Sequence, residues 1–295
     1  MNAIVVSARG QWRDYFELTK PRITLLVLVT ALAGMWLAAG GLPPPRLLLA
    51  TLAGVGLAAS SSACLNNYLD REIDKRMSRT QARALPAGRL RPDLALSWGI
   101  GLGAASFALL AAAVNWLTAL LALGTILFYV LVYTLWLKRR TPLCTSIGGL
   151  AGALPPLIGW AAVTGGLAPA GLALFLILYL WQPPHFWALA LIRAEEYRSA
   201  GLPILPVARG VGHTKRQMTL YTLALVPASL LPYLLGSVGP FYLGIALLLD
   251  LGYLALTAKF IYQQVSRSSA RRLFFYSIIY LSLLFIMVFA DCRCT

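Results

Sequence analysis

The chain has 295 residues, 59% of them hydrophobic and only 12% charged, with a formal net charge of +15. A soluble domain carries about twice that charged fraction, so a water-facing globular fold is excluded. A nucleic-acid binder goes with it, because no polar domain is present to hold such a ligand.

A helix needs about 20 apolar residues to cross a hydrocarbon core about 30 Å thick, so the scarce charged residues serve as rulers. Met1 to Lys20 is polar and is not read as a signal peptide. Between Arg22 and Arg46 lie 23 uncharged residues, and another 23 lie between Arg46 and Asp70, giving one span each. The 44 between Asp93 and Lys138 make two spans with a turn near Asn115. The 52 between Arg140 and Arg193 make two more, turning near Gly165 and Gly166. The 42 between Arg216 and Lys259 contain one acid, Asp250, and make two spans turning at Gly236 to Pro240. The last 18, between Arg272 and Asp291, make one short span. The expectation is an all-α, polytopic membrane protein: one domain over 1–295, a bundle of nine transmembrane helices around a central cavity open to the cytoplasm. A β-barrel is the other spanning structure, but these runs show no polar alternation.

With nine spans, alternate loops lie on opposite sides, and one set holds 23 of the 25 basic residues. By the positive-inside asymmetry, this side is cytoplasmic, placing the N-terminus inside, the C-terminus outside and the protein in the inner membrane. Two of the cytoplasmic loops, Asp70 to Asp93 and Arg193 to Arg216, each follow a helix, begin with acids and pass through basic residues to a Pro and a Gly. Four helices separate them, which suggests a weak parallel repeat of helices two to five and six to nine, with a shared site at the interface. Cys64 and Cys144 fall in or beside spans, and Cys292 and Cys294 read as a frayed outer tail.

The stretch "NNYLDREIDKRMSRT", Asn66 to Thr80, concentrates acids directly after an apolar run. Asn66, Asp70 and Asp74 recur every four residues and so share one helix face. Oxygen-bearing side chains in a row suit Mg²⁺, which is commonly held by one or two carboxylates plus substrate phosphates. Arg71, Lys75, Arg76, Arg79 and Arg83 add phosphate-binding donors. Asn67 points about 100° away. A solvated loop with pairs such as Glu72–Arg76 is the competing reading, but it leaves polar groups at Asn66 and Asp70, on an apolar helix, unexplained.

The second cluster is "WQPPHFWALALIRAEEYRSAGLPILPV", Trp181 to Val207. Pro183 and Pro184 predict a break or kink. On one helix, His185 and Glu196 would share a face about 16 Å apart along the axis, with Arg193, Glu195, Glu196 and Tyr197 at the cytoplasmic mouth and the histidine deeper. An intramembrane histidine is a functional candidate.

At these residues the chain resembles the UbiA-type intramembrane prenyltransferases, and within them the haem branch. The resemblance extends over "YFELTKPRI", "YTLWLKRRT" and "GGLAGALPPLIGWAAVTG". It implies Mg²⁺-dependent transfer of a farnesyl group from farnesyl diphosphate to a vinyl group of haem B, with addition of water, giving haem O and diphosphate. On that resemblance Asn66, Asp70 and Asp74 match the first acidic motif, which binds metal and diphosphate, and Glu196, with Glu195 beside it, matches the second. Arg79, Arg83, Lys138, Arg139, Arg193 and Tyr133 are implied substrate contacts, and His185 a haem-side or proton-handling residue. Membrane lipid, and haem A synthase or a terminal oxidase assembly, are implied partners; nucleic acid is not. The rings of Trp181, Phe186, Trp187 and Tyr133 are candidates for stacking or cation stabilisation. Three features depart from the pattern: the Glu195–Glu196 pair where relatives carry aspartate, Cys144 in place of an asparagine, and Asp250, read as structural. Two alternatives stand: a prenyltransferase for a quinone or hydroxybenzoate ring, and a proton- or cation-coupled transporter using Asp70, Asp74, Glu196, His185 and Asp250 as a relay.

Overall fold

The computed structural model describes residues 8–264 and 266–293, with side chains from residue 12 onward. Every described element is helical: α1 (Ala8–Leu18), α2 (Pro21–Ala39), α3 (Pro45–Asp74), α4 (Pro92–Ala113), α5 (Trp116–Arg140), α6 (Cys144–Thr164), α7 (Pro169–Ile192), α8 (Ala194–Ser199), α9 (Leu205–Ala208), α10 (Gly210–Leu234), α11 (Pro240–Tyr262) and α12 (Arg267–Ala290). Proline opens α2, α3, α4, α7 and α11 at their first position, where its missing N–H costs nothing.

Eight of these helices are long and apolar enough to cross a membrane: α2 to α7, α11 and α12. The expected ninth span, α10, is 25 residues long but begins with His213, Lys215 and Arg216 and contains Pro227 and Pro232, which dilute its apolar character. The turns fall as expected at Asn115, which caps α5 by accepting from Thr118 N–H at 2.8 Å, and at Gly165, in the left-handed conformation that favours glycine.

The helices pack as two groups. One core joins α2 to α5 through residues such as Val55, Leu110, Ala122 and Ile126; the other joins α7, α10, α11 and α12 through Leu174, Trp187, Tyr253 and Tyr280. Helix α6 lies between them and packs along α2. Small residues allow these approaches, as expected where lipid removes the hydrophobic drive between helices. A Cβ on Gly34 would strike the Pro156 carbonyl, and one on Gly159 the Ala31 carbonyl. Gly159→Val is therefore expected to destabilise the bundle by about 1–3 kcal/mol or more, read as a lower melting temperature in detergent; an unchanged value would mean that α2 and α6 separate freely. Polar side chains tie α3 to α4, with the Ser61 hydroxyl donating to Gly99 O and that of Ser106 to Gly54 O, both at 2.7 Å.

Two expectations about helix continuity are corrected. Pro183 and Pro184 do not interrupt α7, which runs through them to Ile192. The interruption comes later, at Arg193 (φ −118°, ψ 22°), so His185 and Glu196 belong to different helices and share no face. Asp250 is buried on α11 and accepts from Ser229 Oγ at 2.6 Å and Tyr280 OH at 2.7 Å. It lies off the walls of the cavity described below.

Candidate active site

Helix α3 delivers Asn66, Asp70 and Asp74 on one buried face, as their spacing requires. They line a cavity of about 1120 Å³ bounded by α2, α3, α5, α6, α7 and α12. Its walls include Ile23 and Leu26 of α2 and Ile286 of α12, all largely exposed.

Each acid at its head meets a cation. Lys138 donates to Asp70 Oδ2 at 2.5 Å, Arg139 lies 3.8 Å from Asp70 Oδ1, and Arg83 donates to Asp74 Oδ2 at 2.7 Å. Asn66 Nδ2 donates to Asp70 Oδ2 at 2.9 Å and to Thr134 Oγ1 at 3.2 Å. Its Oδ1 accepts from Lys20 Nζ at 2.8 Å. Asp70 Oδ1 is buried without a hydrogen-bond partner, an arrangement that invites a cation. Among the described residues no three His, Cys, Asp or Glu gather closely enough to hold a metal alone. Asn66, Asp70 and Asp74 nevertheless fit Mg²⁺, whose remaining shell comes from substrate phosphate and water.

Two structural features that position this site were not anticipated. Residues Phe128–Leu137 of α5 form a π-helix, a geometry common at functional sites. Within it Thr134 Oγ1 donates to Tyr129 O at 2.8 Å while accepting from Asn66, and Tyr133 stacks on Tyr129 with centroids 5.1 Å apart. Lys20 is the one non-glycine residue with positive φ (49°) among those described. Burial first, then the charges of Arg83 and Lys138, lower its ammonium to about 8. Its local signal was the following Pro21, which disfavours a right-handed helical conformation at residue 20.

The 75–91 segment is exposed at many positions but is anchored to the bundle by buried residues such as Met77, Thr80, Ala84 and Leu85. Thr80 Oγ1 donates to Asp74 O at 2.9 Å, and Arg89 pairs with buried Asp14 of α1 at 3.0 Å. Leu85 and Ala84 pack with Leu18 and Cys64. Glu72 pairs with Lys75 at 2.9 Å and faces Arg71, not Arg76. Asn67 donates to Leu18 O and Ala63 O, binding α3 to the end of α1.

Arg79, Arg83, Lys138, Tyr133 and His185 all line the cavity; Arg139, Arg193, Glu195 and Glu196 do not. Glu196 sits on α8, paired with Arg193 at 3.3 Å, and Glu195 pairs with Arg198. Trp181 and Phe186 line the cavity, whereas Trp187 is core, packed edge-on against Tyr221. Buried Cys144 lines it as well. Of the tail cysteines, Cys294 lies outside the described residues.

The model of the UbiA prenyltransferase family matches residues 27–279. The Protoheme IX farnesyltransferase of Symbiobacterium thermophilum is 48% identical over 280 residues, covering 95% of this chain and 94% of its own. That of Gloeobacter violaceus is 50% identical over 278 residues, covering 94% and 91%. Among solved structures, one of digeranylgeranylglyceryl phosphate synthase aligns with a TM-score of 0.82 at 19% identity, over 95% of this chain and 98% of that one. A UbiA homolog from Archaeoglobus fulgidus bound to DMAPP and Mg²⁺ aligns with a TM-score of 0.65 at 16% identity, over 94% and 99%. The motifs on α3, the helical bundle and this near-complete match agree: the chain is an integral membrane protein that belongs to the UbiA prenyltransferase family.

Proposed function

We propose that the chain transfers the farnesyl group of farnesyl diphosphate to a vinyl group of haem B, giving haem O and diphosphate, with Mg²⁺. The observation that carries this reading is a cluster of acids and cations at the head of a cavity whose deeper walls are apolar, in a chain about half identical to Protoheme IX farnesyltransferases over nearly its whole length.

The prenyl tail lies among apolar side chains and the diphosphate lies at Asn66, Asp70 and Asp74. Mg²⁺ held there supplies charge that stabilises the leaving diphosphate. Lys138, Arg83, Arg79 and Lys20 do the same from protein. Such fixed charges act where negative charge develops and need no reorganisation as the C–O bond breaks. The apolar walls keep water from the allylic cation until the vinyl group attacks, and the stacked Tyr129 and Tyr133 rings offer it π-faces. Both substrates are amphiphilic and enter from the membrane.

Helix α10 serves as the ninth span. The loops rich in Lys and Arg face the cytoplasm, with the N-terminus inside and the C-terminus outside. Helices α3 to α6 and α7 to α12 form the two halves of a single domain. Glu196 and Glu195 reach the diphosphate only after Arg193 and Arg198 release them. The product passes to haem A synthase or a terminal oxidase assembly.

The test is a product assay. Protein in detergent receives haem B, farnesyl diphosphate and Mg²⁺, and the extracted haem is weighed by mass spectrometry. The expected result is a gain of one farnesyl group and one water, lost with EDTA. A folded preparation that farnesylates only a quinone or hydroxybenzoate ring would reject haem as acceptor.

A further inference from the structure

We propose that Gln182 and His185 hold the water molecule consumed in the reaction, and that Ser277 sets the histidine tautomer this requires. The inference rests on the haem-farnesylation reading and adds the hydration step to it.

The Ser277 hydroxyl has one hydrogen to give. Its oxygen lies 2.6 Å from Phe274 O and 2.7 Å from His185 Nδ1. Two oxygens 2.6 Å apart with no hydrogen between them repel, so the hydroxyl donates to Phe274 O. Both contacts are then satisfied only if His185 carries its proton on Nδ1 and donates it to Ser277. Nε2 is left with a lone pair. Trp181 and Phe274 cover the two faces of the imidazole, with centroids 4.5 and 4.6 Å away, so the ring stays oriented and only an edge is free.

Gln182 is fixed in the same way. Its Nε2 donates to Gly149 O at 2.9 Å and to Leu178 O at 3.2 Å. Both amide hydrogens are used and Oε1 is committed as an acceptor. It lies against Gly152, where a Cβ would strike it. Both residues line the cavity, and neither Oε1 nor His185 Nε2 is among the sealed, unpartnered atoms. Residues three apart on a helix place their Cβ atoms about 5–6 Å from each other. Two acceptors, Gln182 Oε1 and His185 Nε2, thus come from neighbouring residues of α7 that line one cavity. A water molecule matches: it donates one hydrogen to each and turns its lone pairs outward.

The step balances. Attack of the vinyl π electrons on the farnesyl carbon leaves a cation on the vinyl carbon beside the porphyrin. The water oxygen forms the C–O bond, one O–H bond breaks, and that proton goes to His185 Nε2. The other hydrogen stays on the product hydroxyl. Without a placed water, the cation instead sheds a proton from carbon and leaves an alkene lighter by one water.

The ratio of hydrated to dehydrated farnesyl-haem, read by mass spectrometry, tests this independently of total rate. The native protein is expected to give hydrated product, labelled in ¹⁸O-water. Loss of one such hydrogen bond is worth about a tenfold change in ratio, so Gln182→Met and His185→Ala should each move the product that far toward the alkene. Ser277→Ala should move it the same way, and Ser277→Thr, which restores a hydroxyl, should bring it back. Gly152→Ala changes no polar group, crowds Oε1 and should act like Gln182→Met, so the test survives if one polar variant misfolds. Variants that farnesylate more slowly at an unchanged ratio would overturn the water assignment and leave the acceptor reading intact. A native protein that gives neither product would overturn the acceptor reading itself.

Discussion

Asp70→Asn is expected to cut farnesyl transfer by on the order of 10³-fold or more in a protein that remains folded. The side chain keeps its shape but loses the charge that faces Lys138 at 2.5 Å and Arg139 at 3.8 Å. Removing one partner of a buried ion pair costs about 3–5 kcal/mol when the other charge is stranded. Lys138 is partly exposed to the cavity, so the cost here falls below that range. The double variant Asp70→Asn, Lys138→Met should recover the melting temperature and none of the activity. Product mass spectrometry and thermal unfolding in detergent, on the same preparations, check both halves. Normal turnover in Asp70→Asn would sink the site assignment. Recovery of activity in the double variant would make the pair structural.

Lys20→Met is expected to lower kcat/KM for the prenyl diphosphate by on the order of 10²-fold without lowering the melting temperature. Lys20 is held in a left-handed conformation (φ 49°, ψ 60°), which costs about 1–2 kcal/mol for a residue with a Cβ. Its ammonium is buried beside Arg83 and Lys138. Asp70 and Asp74 favour its charge while burial, Arg83 and Lys138 oppose it, and a desolvated cation of this kind is a good anion receptor. Backbone strain of this kind concentrates at functional sites; Met keeps the Cβ and so leaves it in place, and the variant removes only the desolvated charge, a loss that commonly trades activity for stability. A titration of farnesyl diphosphate against initial rate, with unfolding measured alongside, decides the matter. Unchanged kinetics with a lower melting temperature would make Lys20 a structural strut between α2 and Asn66.

Much of the architecture was legible because it depends on local rules. The need for about 20 apolar residues per crossing places eight spans at or near the intervals between charges. Helix α10 reads as a span by spacing, yet its polar start and two prolines leave it less apolar than the rest. The face shared by Asn66, Asp70 and Asp74 follows from a repeat of four within one helix, and no tertiary contact could have moved it. The same rule failed for His185 and Glu196. It assumes an unbroken helix, and the chain turns at Arg193, where no Gly or Pro signals an end. The proline pair does not break α7, which continues through it to Ile192.

The sequence by itself determined that the chain crosses a membrane repeatedly as helices, which end of each carries the charge, and that α3 offers three oxygen ligands in line. Those properties arise from composition and from spacing within single helices. Only the tertiary structure decided which cations meet those acids. Lys20, Arg83 and Lys138 come from separate segments, 46 residues from Asn66, 9 from Asp74 and 68 from Asp70. It also decided that Glu196 turns to Arg193, and that Ser277, 92 residues away, orients His185. Each of these contacts depends on how helices pack across the bundle, and packing is set by shapes such as Gly34 against α6 backbone and Gly159 against α2 backbone, which no periodicity along the chain records.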